Sequence, residues 1–212
     1  MDLNHPSTFD TLAMDTKQKR AIVNDLDRFI KRKDYYRRIG KAWKRGYLLY
    51  GPPGTGKSSL VAAMANHLRY NIYDLDLSHV QNTTLQWLLL TMSDKSILVI
   101  EDIDCSLDLT GAREKKKDAA PEEVDKASKG DKKGAADASS KVTLSGLLNF
   151  IDGLWSACGG ERIIIFTTNH KEKLDPALIR RGRMDKHIEM SYCRFEGFKV
   201  LAKNYLDIVE HV

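Results

Sequence analysis

A glycine-rich loop, GPPGTGKS from Gly51 to Ser58, is the segment of this 212-residue chain best suited to hold an anion. It matches the G-x-x-x-x-G-K-[ST] pattern of a phosphate-binding loop. Because glycine has no Cβ, successive backbone N–H groups can point inward at one phosphate group. We expect Lys57 to bridge the terminal phosphates of a nucleoside triphosphate, and the Ser58 hydroxyl to bind Mg²⁺.

The sequences on both sides of the loop predict a strand that enters it and a helix that leaves it. The strand is YLLY at 47–50, and the helix covers residues 59–66. The amino-terminal end of that helix would add positive potential at the phosphates. The alternative is a Gly/Pro turn that binds no ligand. The predicted nucleotide-binding residues here are Gly51, Pro52, Pro53, Gly54, Thr55, Gly56, Lys57, Ser58 and Ser59.

Carboxylates follow a second apolar strand, ILVI at 97–100, which ends in Glu101, Asp102 and Asp104. A buried strand that delivers carboxylates to a sheet edge can hold Mg²⁺ and polarise an attacking water. A third apolar strand ends at Asn169, whose amide can orient water or contact the terminal phosphate. The alternative is that these are ordinary polar loop residues after strands.

Three arginines lie close together in LDPALIRRGRMD, residues 174–185. We predict a helix ending in Arg180, Arg181 and Arg183 that presents its guanidinium groups to solvent. Arginine brought to a terminal phosphate stabilises the charge of phosphoryl transfer. The alternative is a basic surface at a helix end.

The bulk composition allows one α/β domain and part of a second. The net formal charge of +5 is weak evidence for a nucleic-acid partner. The three cysteines show no C-x-x-C spacing, and their odd number favours a reducing compartment. The chain contains no run of 18 apolar residues and no apolar signal region at its start, so we expect it to be soluble, without a targeting signal.

Residues 110–141 differ in composition from the rest of the chain. They contain no aromatic residue, one large aliphatic residue (Val124), and charges that alternate in sign. Such a segment cannot bury enough apolar area to offset its ordering entropy, which predicts a disordered insertion. A lysine-rich segment for an acidic partner is the alternative, although the interleaved acids nearly cancel its field.

Strand and helix patterns alternate on both sides of the insertion. Short aliphatic strands separated by helices indicate a parallel sheet covered on both faces, with ligands at the carboxyl ends of the strands. The predicted strands are 47–50, 71–77, 96–100, 162–168 and 186–190, and the predicted helices are 59–66, 84–92 and 142–155. We therefore expect an α/β fold with a mostly parallel five-stranded sheet.

In their order along the chain, these motifs resemble the AAA ATPase family. The matching segments are HPSTFDTLAMD at 5–15, the phosphate-binding loop, the strand end at 97–104, LLNFIDGL at 147–154, and FTTNHKEKLDPALIRRGRMD at 166–185. The chain looks most similar to the branch that includes the assembly chaperone of respiratory complex III and plant AAA ATPases of mitochondrial outer membranes. Residues 28–60 point to the plant group.

The resemblance implies a P-loop NTPase three-layer sandwich that hydrolyses ATP with Mg²⁺ and remodels or translocates a protein at a mitochondrial membrane. It implies that Asn169 senses the terminal phosphate and that Arg180 and Arg183 reach the adjacent subunit of a homo-oligomeric ring. Arg181 falls on a variable position of the motif. Three more residues would lie against adenine: Thr11, Leu12 and Ala13.

The sequence departs from the family pattern at the strand end, where Glu101 precedes Asp102 instead of the usual Asp then Glu. By position, Glu101 would join Ser58 at the metal and Asp102 would polarise water. The same inverted order, Glu then Asp, characterises the branch named above. Exchange of the two roles stays open. The segment at 77–87 lacks the aromatic–hydrophobic–glycine triplet of polypeptide-threading members, so residue-by-residue threading is not supported.

The resemblance also sets the domain boundaries. Residues 1–194 would form the large α/β domain, and residues 195–212 the first helix of a truncated helical lid domain. The membrane anchor and amino-terminal domain of this branch are absent from the chain, so a membrane would be reached only through an anchor elsewhere.

Two alternatives from other functional classes remain. A nucleic-acid motor or clamp loader would use the basic run at 28–45, in which aromatic residues alternate with Lys and Arg. We expect no nucleic-acid partner, and a helix that packs Phe29, Ile30, Tyr35 and Ile39 inward. The other alternative is an ATP-binding scaffold that does not hydrolyse.

Overall fold

The structure is a computed structural model that describes residues 5–77, 80, 82–106, 142–153 and 160–208. The predicted insertion at 110–141 lies outside the described residues. So do the ends of two predicted helices, at 154–155 and 209–212, and the cysteine at position 158.

Five strands form one sheet. Their bounds are Lys44–Tyr50 (β1), Asn71–Leu75 (β2), Ser96–Ile100 (β3), Arg162–Thr168 (β4) and Lys186–Glu189 (β5). The strand order is β2-β3-β4-β1-β5, and every pairing in the sheet is parallel. The predicted five-stranded parallel sheet is therefore confirmed, with β1 longer than predicted and β2 two residues shorter.

Helices connect the strands, as a parallel sheet requires. Their bounds are Thr16–Ile30 (α1), Lys33–Arg38 (α2), Lys57–Leu68 (α3), Asn82–Thr91 (α4), Ile103–Ser106 (α5), Leu144–Asp152 (α6) and Phe195–Leu206 (α7). A short 3₁₀ helix covers Lys171–Lys173. Among the described residues, no helix is both long enough and apolar enough to cross a bilayer.

The sheet is covered on both faces because its central strands are apolar on both sides. Ile163 and Ile165 of β4 belong to the core that contains the buried residues of α1 and α3. Ile164 and Phe166 of the same strand belong to the core that contains α4 and α6. Alternating side chains of a strand point to opposite faces, so one continuous apolar run fills both cores. The result is the predicted three-layer sandwich.

The prediction of a helix ending in Arg180 is wrong. Residues 176–178 and 181–183 form turns. The Asp175 carboxylate accepts a hydrogen bond from the Ala177 N–H at 2.7 Å, which offers the backbone a turn in place of a helix. Gly182 has φ 93°, a left-handed conformation that ends regular structure.

The basic run also differs from its prediction. Of the four apolar residues expected to pack inward, only Phe29 is buried, while Ile30, Tyr35 and Ile39 are 36%, 43% and 41% exposed. A turn at residues 31–32 separates α1 from α2, so the two helices do not share one continuous apolar face. The inward positions are taken by other aromatic residues, Tyr36 and Trp43, and the indole N–H of Trp43 donates to the Phe29 carbonyl at 3.1 Å.

Candidate active site

The strand register brings three loops to one edge of the sheet. Tyr50 of β1 pairs with Thr168 of β4, and Phe166 of β4 pairs with Ile100 of β3. The phosphate-binding loop, the carboxylates after β3 and Asn169 after β4 therefore emerge side by side, at the carboxyl ends of parallel strands. This is the edge at which ligands bind in such sheets.

The loop needs glycine at specific positions. Gly54 and Gly56 have φ of 75° and 90°, and Gly56 is the residue that precedes α3. A Cβ on Gly51 would lie 2.1 Å from the Met190 carbonyl oxygen, so the loop could not pass beside the end of β5 with any side chain there. The Thr55 hydroxyl donates to the Pro52 carbonyl at 2.8 Å and closes the turn.

The Lys57 ammonium is held at the mouth of this loop. It donates to the carbonyls of Gly51 and Pro52 at 2.8 and 2.9 Å, and to the Asn169 side-chain oxygen at 2.7 Å. Desolvation lowers the pKa of Lys57, and the carboxylates of residues 101–104 only partly oppose this shift. All three N–H groups of the ammonium donate to oxygen atoms. The oxygens of a phosphate group could serve as acceptors in the same way.

Beside the lysine, the Ser58 hydroxyl donates to a carboxylate oxygen of Glu101 at 3.0 Å. A hydroxyl at the start of α3 and a carboxylate at the end of β3 are oxygen donors of the kind that Mg²⁺ prefers. The residues present therefore fit a magnesium ion with the remaining ligands supplied by water and phosphate.

Asn169 connects Lys57 to the second carboxylate. While its oxygen accepts from the lysine, its amide nitrogen donates to Asp102 at 3.1 Å. Asp102 has φ 45°, a left-handed conformation that Asp tolerates better than most residues. Its N–H donates to the Thr167 hydroxyl at 3.1 Å, so β4 orients the exposed carboxylate.

Asp104 is a third carboxylate, to which the sequence analysis gives no role. It accepts from the Thr168 hydroxyl at 2.7 Å and from the Asn169 N–H at 3.3 Å. Partial burial raises the pKa of Asp104, but these hydrogen bonds outweigh it and hold the pKa below its ordinary value. Asp104 thereby fixes the backbone that carries Asn169. The sequence places Asp104 at this strand end, but its contacts with Thr168 and Asn169 depend on the pairing of β3 with β4.

A cavity of about 810 Å³ lies beside the loop, between the amino-terminal segment and α7. Thr11, Leu12 and Ala13 line it together with residues 53–56 and Ser59 of the loop region. The Asn204 side chain donates to the Thr11 carbonyl at 2.8 Å, which joins α7 to the amino-terminal segment. Sequence analysis does not identify Asn204, because its contact is with a residue almost 200 positions earlier.

The arginines of 174–185 lie in different environments, which corrects the expectation that their guanidinium groups face solvent. Arg183 is only 8% exposed; its Nε donates to Asp152 at 2.5 Å, and Nη1 donates to the Ala177 carbonyl. Arg180 is 61% exposed and donates to the same carboxylate at 3.3 Å. Burial raises the pKa of Asp152, but Arg183 and Lys44 outweigh it, so the pKa is lowered. Arg181 is exposed.

This arginine cluster lies at the opposite end of β1 from the phosphate-binding loop. Asp152 contacts Lys44, the first residue of β1, at 3.6 Å. A Cβ on Gly46 would clash with the Arg183 carbonyl, and the two chain segments are joined by the Asp185 N–H, which donates to the Gly46 carbonyl at 2.9 Å. Because β1 rises about 3.3 Å per residue, the arginine segment beside Gly46 lies about 13–16 Å along the strand from the loop.

Comparison with known proteins gives one family. Residues 47–192 match the model of the ATPase family associated with various cellular activities (AAA). Similar proteins from Arabidopsis thaliana include AAA-ATPase At3g28600 (65% identical over 100% of this chain and 43% of that protein) and AAA-ATPase ASD, mitochondrial (67%, over 97% and 41%). Another is AAA-ATPase At3g28570, mitochondrial (64%, over 99% and 44%).

The chain thus spans less than half the length of these relatives. The family match covers all three loops at the carboxyl edge of the sheet and the arginine segment, and leaves out the amino-terminal segment and α7. The chain belongs to the AAA family of ATPases.

Proposed function

We propose that this chain is the catalytic module of a Mg²⁺-dependent ATPase that hydrolyses ATP to ADP and phosphate. The observation that carries this proposal is the chain of hydrogen bonds from Lys57 through Asn169 to Asp102, at the mouth of the phosphate-binding loop. In this chain of hydrogen bonds, the Lys57 ammonium can bind the phosphates and the Asp102 carboxylate can polarise a water molecule. The Asn169 amide lies between the two side chains and contacts each of them.

ATP binds with its phosphates on the N–H groups of residues 51–59. Lys57 exchanges the two loop carbonyls for oxygens of the β- and γ-phosphates, so the ammonium keeps its hydrogen bonds and gains opposite charge. The adenine and ribose occupy the neighbouring cavity, against Thr11, Leu12 and Ala13.

Ser58 and Glu101 hold Mg²⁺, which when bound neutralises charge on the phosphates. Asp102 accepts a proton from the attacking water, and Asn169 orients that water toward the γ-phosphate. The contact between Ser58 and Glu101 supports this division of roles, because the hydroxyl expected at the metal touches Glu101 and not Asp102.

Arg180, the exposed arginine of the pair, acts on the active site of a neighbouring subunit, while Arg183 is held within its own chain by Asp152 and the Ala177 carbonyl. The arginine segment lies about 13–16 Å from the loop of its own chain, which supports this proposal because an arginine side chain cannot span that gap. The site is then complete only in an assembly, which fits a homo-oligomeric ring of the whole protein.

In the whole protein, we propose that hydrolysis is coupled to remodelling or translocating a protein client at a mitochondrial membrane. Two of the Arabidopsis relatives carry "mitochondrial" in their names, which supports the compartment. Residues 1–194 would form the large domain, with α7 beginning a second, helical domain within 195–212.

The test compares two isosteric changes. Asp102→Asn keeps the shape of the side chain and should bind Mg·ATP, yet turn it over at least about 10²-fold more slowly. Glu101→Gln should instead raise the Mg²⁺ concentration needed for half-maximal turnover. Turnover is measured as phosphate release and binding with a fluorescent ATP analogue.

The reverse pattern would mean that the two carboxylates have exchanged roles. Tight ATP binding by the parent at every protein concentration, with no phosphate release even in an assembled full-length protein, would favour the non-hydrolysing scaffold and refute the proposal.

A further inference from the structure

A single short segment carries the entire basic excess of the chain. Residues 28–41 contain seven Lys and Arg residues and one acidic residue, Asp34, so their formal charge is +6. The whole chain has a net charge of +5, which leaves −1 for all the remaining residues. We call the seven basic side chains of 28–41, together with Ile30, Tyr35 and Ile39, the basic surface.

The basic surface faces solvent, and its cations form no ion pair with another residue that the structure describes. All seven basic residues are exposed. The nearby carboxylates of Asp25 and Asp27 are engaged by Arg45 and His67 instead. Asp34 lies on α2 and is itself exposed. Seven exposed cations at one place create a positive field that attracts anionic surfaces.

The fold holds this segment in place. α1 is anchored in the core through Ile22, Leu26 and Phe29, and the rings of Tyr36 and Trp43 lie 6.0 and 5.8 Å from the ring of Phe29. The basic side chains therefore project from a preformed platform. An ordered platform loses less conformational entropy on binding than a flexible basic tail.

The platform lies away from the nucleotide site. It immediately precedes β1, and the Trp43 carbonyl accepts from the N–H of Arg162, the first residue of β4. The basic surface is therefore at the amino ends of the strands, about 20 Å along β1 from the phosphate-binding loop. A partner bound there leaves the loop accessible.

We propose that the basic surface docks on a lipid bilayer with anionic headgroups. Two exposed aliphatic side chains, Ile30 and Ile39, are interleaved with the cations, next to Tyr35, whose ring lies under two of the arginines. This combination is typical of peripheral membrane binding, where cations meet headgroups and apolar tips enter the interface. The proposal does not depend on ATP turnover.

A single-stranded nucleic acid fits the same surface less well, because bases need open aromatic faces for stacking. Arg32 and Arg38 lie over the Tyr35 ring, 5.4 and 5.8 Å from its centroid. Lys33 lies 5.5 Å from the Trp43 centroid, and Tyr36 packs against the core. The aromatic rings are thus covered by cations or by protein, while the aliphatic tips have no partner on a nucleic acid.

The experiment measures co-sedimentation of the 212-residue chain with phosphatidylcholine vesicles, with and without 30% phosphatidylserine, at low and high salt. We expect the chain to bind only to the anionic vesicles. The bound fraction should fall steeply as the salt concentration rises, because salt screens the positive field of the basic surface. Each basic side chain near such a surface strengthens binding about fivefold, so Arg32→Gln/Arg37→Gln/Arg38→Gln should weaken it about 100-fold.

The matched control, Lys17→Gln/Lys173→Gln/Lys203→Gln, removes the same charge from three other exposed positions and should weaken binding less than about fivefold. Ile30→Ser/Ile39→Ser keeps the charge and should weaken binding about tenfold, whereas Leu90→Ser, an exposed apolar residue on α4, should not. Melting curves verify that each variant is folded.

Three results would overturn the proposal. The first is equal binding to neutral and anionic vesicles. The second is an equal loss of vesicle binding in the triple Arg→Gln variant and in its triple Lys→Gln control. The third is binding to a single-stranded oligonucleotide or a polyglutamate peptide that exceeds vesicle binding at the same salt and is unchanged by Ile30→Ser/Ile39→Ser. ATP turnover enters none of these measurements, so their outcome is separate from that of the ATPase proposal.

Discussion

Arg180 and Arg183, to which the family resemblance gives one role, should respond differently to substitution. Arg183→Ala removes a side chain that is 8% exposed and makes two hydrogen bonds, to Asp152 and to the Ala177 carbonyl. Arg180→Ala removes one that is 61% exposed and makes one hydrogen bond of 3.3 Å. We therefore expect the first change to affect folding and the second to affect mainly catalysis.

The magnitudes follow from burial. Breaking a fully buried ion pair costs about 3–5 kcal/mol. Because Asp152 is 31% exposed and keeps Lys44 and Arg180 as neighbours, we expect about 2–3 kcal/mol for Arg183→Ala. For a chain of this size, that lowers the melting temperature by about 5–10 °C. The exposed pair of Arg180 contributes less than about 1 kcal/mol, or at most a few degrees.

Thermal melts of the 212-residue chain test this difference, with Arg181→Ala as an exposed control. Arg183→Lys keeps the charge but not the forked geometry, so it should fall between Arg183→Ala and the parent. If Arg183→Ala melts within 1 °C of the parent, or if Arg180→Ala is equally destabilising, the distinction between a buried and an exposed arginine is wrong.

Catalysis is tested in the full-length protein by mixing two inactive variants. Arg180→Ala keeps its own site and offers no arginine at this position, while Asp102→Asn offers the arginine and cannot activate water. An arginine supplied in trans contributes about 10³–10⁵ in rate, so mixed assemblies should regain part of the activity. If mixing restores nothing although subunits exchange, the arginine acts within its own chain.

Three further predictions concern the loop, the arginine cluster and the insertion. Lys57→Ala should abolish productive ATP binding, because the loop loses its cation; an affinity within threefold of the parent would contradict the assignment. Because the pKa of Asp152 is lowered on folding, its ion pairs stabilise the protein above the ordinary pKa of 3.8 and are lost as pH falls below it. Asp152→Asn should therefore flatten the acid side of a melting-temperature profile, and an unchanged profile would refute this. Replacing residues 110–141 with a short Gly/Ser linker should leave turnover and melting temperature nearly unchanged, since closure entropy varies slowly with loop length; loss of either would show that the segment docks on the protein.

The strands were predictable where the sequence is apolar on both faces. Residues 96–100 and 162–168 are strands with the predicted bounds, because uninterrupted runs of Ile, Leu and Val fit a buried parallel sheet and little else. The phosphate-binding loop was predictable because Gly54 and Gly56 have the left-handed backbone that glycine favours, although the requirement for Gly51 comes from its tertiary contact with Met190. The helix after the loop was predicted at 59–66 but extends two residues further at each end, and its first residues, Lys57 and Ser58, also belong to the loop motif.

Local pattern failed where a side chain's partner lies elsewhere in the chain. The arginines of 174–185 look exposed in sequence, yet Arg183 is buried and forms an ion pair with Asp152, the last residue of α6. In the basic run, Ile30 and Ile39 look like inward-facing residues, yet the break between two helices turns them outward.

The sequence alone therefore determined the layers of the fold, the loop that holds phosphate and the types of residue at its edge, because these follow from hydrophobic periodicity and local backbone chemistry. The tertiary structure decided which of those residues meet. Asn169 touches Lys57 and Asp102 only because β4 lies between β1 and β3, and hydrophobic patterning does not encode strand order. The same order puts the arginine cluster at the far end of β1, out of reach of the loop in its own chain.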